Sequence, residues 1–90
     1  MQILTKTKDE FEFKNENNTY KYSKVEVRDV DEDTGDRFTE YQVVLIFTSG
    51  NEDPRCYMKV FRDDKQARDD VFANLKPEEI TDFTDWKRCS

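Results

Sequence analysis

The sequence predicts an α+β domain: an antiparallel meander of four to five strands, then one C-terminal amphipathic helix packed on one sheet face. Three observations predict it. Apolar and polar residues alternate with period two in several runs before residue 62, as half-buried strands require. After residue 62 the apolar spacing becomes that of a helix. Clusters of Asn, Asp, Gly and Pro separate the runs, as turns do.

Each element has its own justification. Ile3 and Leu4 open a short strand over 2–6. "DEFEFK" sets Phe11 and Phe13 on one face of a strand over 9–14, with Glu10, Glu12 and Lys14 on the other. "NENN" makes a turn, because Asn tolerates left-handed backbone. A strand over 19–29 follows, but its phase slips: Tyr20 and Tyr22 are even, Val25 and Val27 odd, which predicts a bulge near Ser23–Lys24. "YQVVLIF" is the most apolar run and suits a central strand over 38–48 with both faces covered. "CYMKVF" alternates in a strand over 55–62, with Cys56, Met58 and Val60 opposite Tyr57, Lys59 and Phe61. In the helix, expected over 64–76, Ala67, Val71, Phe72 and Leu75 form one stripe. Asp63 and Gln66 resemble a capping box. Pro77 ends the helix, and Ile80, Phe83 and Trp86 are expected to pin the tail to the body.

Ninety residues suit one small domain, expected over 1–90. A chain of this size buries only about 60% of its unfolded surface. Charged residues make up 40% and apolar residues 34%, a balance near the disordered regime. Seven Phe, four Tyr and one Trp, placed periodically, argue for a folded core. Cys56 and Cys89 form no CxxC pair, and the chain has no histidine to complete a zinc site. No leader opens the chain and no apolar run reaches the ~20 residues of a membrane span. These features predict a cytoplasmic protein with reduced thiols, Cys56 being buried and inward and Cys89 exposed in the tail.

The charge is concentrated. Residues 29–40, "DVDEDTGDRFTE", carry six acidic and one basic group, −5 of a total −6. Counted from Asp29, Asp31 is third, Asp33 fifth and Glu40 twelfth, which imitates a calcium loop. The glycine such a loop needs at position six is Thr34, and Gly35 comes one place late. The flanks read as strands where the motif has helices. A hairpin tip therefore explains the residues better, with Thr34-Gly35 supplying the positive φ of the turn. No metal site is expected.

Catalytic equipment is sparse. The usual general base near neutral pH is missing with histidine. Two glycines cannot build a phosphate-cradling loop. No enzymatic activity and no cofactor are expected. An acidic domain also lacks the basic footprint of a general nucleic-acid binder, so direct nucleic-acid binding is not the leading expectation.

What remains is an interaction or inhibitor protein that occupies a basic surface of its target. In size, charge and lack of catalytic residues the chain resembles virus-encoded inhibitors of nucleic-acid-processing enzymes, anti-CRISPR and anti-restriction proteins among them. The resemblance implies a nucleic-acid mimic whose partner is a nucleic-acid-processing protein. Asp29, Asp31, Glu32, Asp33 and Asp36 would present carboxylates in place of phosphates, with Asp63, Asp64, Asp69 and Asp70 as a second patch. Two alternatives use aromatics. Tyr20, Tyr22, Tyr57 and Phe61, interleaved with Lys21, Lys24 and Lys59, would stack single-stranded nucleic acid if exposed. The same face would anchor a larger assembly or a homodimer, or would simply be core.

Overall fold

The computed structural model describes residues 1–77 and 85–89. It contains one antiparallel sheet in strict sequence order, β1 (Gln2–Lys6), β2 (Glu10–Asn15), β3 (Asn18–Val30), β4 (Arg37–Ser49), β5 (Arg55–Arg62) and β6 (Lys87–Arg88). Among the described residues one helix, α1 (Lys65–Ala73), lies between β5 and β6. The meander expected from the alternation is present. It has a sixth strand of two residues, supplied by the tail, and the helix is shorter than its apolar stripe suggested.

The core lies on the helix side of the sheet. Phe11 and Phe13 of β2, Tyr20 and Tyr22 of β3, and Val43 and Leu45 of β4 are buried there under Phe72 of α1. Pairing puts them in rows: Phe13 faces Tyr20, Tyr20 faces Phe47, and Leu45 lies between Tyr22 and Tyr57. The Phe13 and Tyr20 rings stack at 4.7 Å, a cross-strand aromatic pair of the kind that stabilises sheets. Trp86 closes the cluster against Tyr22 at 6.2 Å. Ile80 and Phe83, expected to help it, lie outside the described residues.

Several local expectations are corrected. No bulge interrupts β3, which pairs with β4 without a slip from Asn18↔Ser49 to Val30↔Arg37. The tyrosines point to the core and the valines to the other face, so the phase change reflects two apolar faces on one straight strand. The irregularity sits in β1, between Ile3 and Thr5. In the β2–β3 turn the left-handed residue is Glu16 (φ 56), with none of Asn15, Asn17 and Asn18 taking that role. The helix cap is Asp64, whose carboxylate accepts from the Ala67 N–H at 3.0 Å. Gln66 bonds forward to Asp70 at 2.8 Å, so no reciprocal capping box forms.

The thiol expectation is overturned. Cys56 and Cys89 are joined in a disulfide across a separation of 33 residues. The cause is β5–β6 pairing, which carries Cys89 beside Cys56, with its N–H on the Cys56 carbonyl at 2.9 Å. Cys56 is half-buried on the face opposite the core instead of pointing inward. The bonded pair removes the thiol argument for a reducing compartment. Among the described residues no helix is long and apolar enough to cross a membrane.

Candidate protein-binding site

The long hairpin β3–β4 outruns its neighbours. β2 accompanies β3 only to Ser23, and β5 accompanies β4 only to Glu40. Residues 28–39 therefore form an arm of two strands, in a molecule 47 Å long and 25 Å by 19 Å across. The acidic stretch is the end of that arm.

The turn at its tip is held by its own residues. The Asp31 N–H donates to the Asp36 carbonyl and the Gly35 N–H to the Asp31 carbonyl, both at 2.8 Å. Gly35 has φ 74, the left-handed conformation that glycine adopts without steric cost. One Asp31 oxygen accepts from the Asp33 N–H at 2.9 Å and the Thr34 N–H at 3.3 Å. The other accepts from the Arg62 guanidinium at 3.1 Å. The Asp33 N–H, then Arg62 and the Thr34 N–H, hold the Asp31 carboxyl below its usual pKa. The Thr34 hydroxyl accepts from the Asp36 N–H at 3.2 Å. Arg62 also lies 4.0 Å over the Phe38 ring, which ties the tip to β5.

Asp31 is thus a structural residue of the turn. Asp29 gives one oxygen to the Val30 N–H at 2.8 Å. Glu32, Asp33 and Asp36 are exposed, and among the described residues their carboxylates have no hydrogen-bond or ion-pair partner. Among the described residues no three Cys, Asp or Glu side chains converge as a metal-ion set.

The carboxylates of the second acidic patch, exposed at Asp63, Asp64 and Asp70, are each engaged locally. Asp63, at φ 54, continues the β4 edge: its N–H donates to the Thr39 carbonyl at 2.7 Å and its carboxylate accepts from the Thr39 N–H at 2.8 Å. Asp64 caps the helix. Asp69 pairs with Arg68 at 2.8 Å and Lys24 at 3.6 Å. Partial desolvation works to raise the Asp69 pKa, but Arg68 and Lys24 outweigh it and hold the carboxyl low. Asp70 accepts from Gln66. Four aspartates in sequence have four separate local tasks.

The aromatic platform is also corrected. Tyr20 and Tyr22 are 1% and 0% exposed, so neither offers a face for stacking bases. Tyr57 and Phe61 are half-buried on the same helix-covered side. Of the lysines expected among them, Lys24 leans 5.0 Å over the Phe72 ring, and Lys21 falls on the opposite face by strand alternation. Arg68 was invisible as a site residue. It is 6% exposed, donates to the Val25 carbonyl at 3.1 Å and lies 5.2 Å over the Tyr41 ring, locking α1 to the root of the arm. Its spacing from Val71, Phe72 and Leu75 (i, i+3, i+4, i+7) places it on the apolar stripe, a positional signal that its charge masked.

The face opposite the helix carries Val25, Val27, Val44, Ile46, Met58 and Val60 in adjacent rows. Val27 and Ile46 are 39% and 36% exposed. No family model, curated protein or solved structure matches this chain.

Proposed function

We propose that the protein is a non-enzymatic interaction module that docks the acidic tip of its β3–β4 arm onto a basic surface of another protein. The observation that carries the reading is the set of unpaired carboxylates of Glu32, Asp33 and Asp36, with Asp29 beside them, at the end of a projecting hairpin. The turn beneath them is fixed by Asp31, Thr34 and Arg62, so little ordering entropy is lost on binding. A row of fixed carboxylates suits arginine and lysine side chains, and a nucleic-acid-binding groove is a surface rich in both. In this reading the module inhibits a nucleic-acid-processing protein by standing where phosphates would lie.

The test compares the native chain with a variant carrying Glu32→Gln, Asp33→Asn and Asp36→Asn. Both are used as bait in an extract of the source cells at increasing salt. The native chain should retain a basic protein at low salt, lose it steeply as salt rises, and the variant should not retain it. Equal retention by the variant, or salt-independent binding, would overturn the reading. The apolar rows of the uncovered sheet face, with Val27 and Ile46 exposed, favour a second reading, an accessory subunit docked through that face. Under it Ile46→Lys would abolish retention and the tip variant would not.

A further inference from the structure

One row of side chains crosses the sheet face opposite the helix. Glu10 of β2 pairs with Ser23 of β3, Ser23 with Val44 of β4, Val44 with Met58 of β5, and Met58 with Lys87 of β6. Directly paired residues point to the same face, so the whole row projects away from α1. It is acidic at one end, apolar at its centre and basic at the other end. Val44 is the midpoint, with Glu10 and Lys87 each two strands away. The Cys56–Cys89 disulfide fastens β6 to β5 and so holds Lys87 at the end of the row. Glu10 and Lys87 are exposed, and among the described residues neither side chain joins an ion pair.

We propose that this face packs on the same face of a second copy, sheet on sheet, about a two-fold axis that runs along β4 over Val44. Sheets packed face to face lie about 10 Å apart with their strands nearly aligned. A two-fold axis between two twisted sheets keeps their twists matched only when it runs along the strands or across them. The charges choose between these two arrangements. An axis across the strands sets Glu10 against Glu10 of the second copy and Lys87 against Lys87. An axis along β4 exchanges the ends of the row, so each Glu10 meets Lys87 of the second copy. A glutamate and a lysine side chain together span a gap of about 10 Å.

The remaining contacts follow from the same axis. Val25 meets Val60 of the second copy, and Val44 and Ile46 each meet their counterparts. Ile46 is 36% exposed, so covering it removes apolar surface from water. One like-charged contact falls on the axis, Glu40 against Glu40, and Arg62 of each copy lies one strand away to offset it. The patch measures about 20 Å by 20 Å, from four strand spacings and six residues of strand. That is at the small end of specific interfaces, so micromolar or weaker affinity is expected. The inference gives the uncovered face a second copy as its occupant and does not depend on what the tip binds.

Sedimentation velocity on the purified full chain without reductant, from micromolar to millimolar concentration at low salt, tests it. A monomer–dimer equilibrium is expected with no other protein present. Glu10→Lys alone and Lys87→Glu alone should each raise the dimer Kd by about tenfold or more, since two favourable pairs become repulsive. The double swap, Glu10→Lys with Lys87→Glu, should restore the native Kd. Circular dichroism guards against misfolding, and the double swap keeps composition unchanged. In the native chain the Val44 and Ile46 methyl resonances should shift as concentration rises, and those of Val43 and Leu45, buried under α1, should not. The tip variant at 32, 33 and 36 should dimerise like the native chain. A monomer at every concentration would overturn the proposal, and so would single swaps without effect or a double swap that stays folded and fails to restore association.

Discussion

Replacing Tyr22 with Phe should stabilise this protein, against the usual outcome of trimming a buried tyrosine. Tyr22 is 0% exposed, and among the described residues its buried hydroxyl has no hydrogen-bond partner. Burial, with Tyr20 nearby as a smaller cause, pushes its pKa well above the ordinary 10.0. A buried donor with no partner costs about 1–3 kcal/mol relative to water. Removing the oxygen leaves a void of roughly one methyl group or less, at about 0.5 kcal/mol. The ring keeps its stacking with Phe11 and Phe13 and its tilted contact with Trp86. The balance favours Tyr22→Phe by about 1 kcal/mol, or roughly 4–8 °C in Tm for a domain of this size. Urea unfolding with matched m-values measures it. Tyr20→Phe is the control, because the Tyr20 hydroxyl is not so stranded, and it should bring no gain. A Tyr22→Phe variant less stable than the native chain would refute the reasoning, because the hydroxyl would then have to be satisfied.

Three further outcomes are expected. The protein purified without reductant should show no free thiol, and Cys56→Ser with Cys89→Ser should cost about 4 kcal/mol, the loop entropy of a 33-residue separation; two titratable thiols in the folded native chain would contradict it. Arg68→Ala should destabilise by roughly 2 kcal/mol, since it removes a charge-assisted hydrogen bond to the Val25 carbonyl and the packing of the arginine over Tyr41; a thermal shift within error would mean α1 is held by Phe72 alone. Asp31 has a folded pKa below its ordinary 3.8, so its contribution is present above that value and lost as pH falls through the lower folded value. The Asp33 and Thr34 amide resonances should shift through that acid window in the native chain and not in Asp31→Asn.

Most strand positions were legible because alternation is a local property. Phe11 and Phe13, Cys56 through Phe61, and the Gly35 turn all carry their period or their φ requirement in adjacent residues. The misjudged features depend on neighbours distant in sequence. The tyrosines and valines of β3 looked out of phase because both faces of one strand are apolar, which only the flanking β2 and β4 reveal. The aspartates at 63, 64, 69 and 70 looked like one patch because composition counts charges and does not register that Thr39, Ala67, Arg68 and Gln66 bind them separately.

By itself the sequence determined an antiparallel meander with one following helix and an acidic hairpin tip, because periodicity and turn chemistry act within a few residues. Tertiary structure decided the rest. It joined Cys56 to Cys89 by folding the tail against β5. It buried Tyr20, Tyr22 and Arg68. It also left the Val25–Val30 edge open, because β2 stops short of it. Those outcomes follow from which strand ends first and what lies across from it, and strand register over tens of residues is a property of the whole sheet.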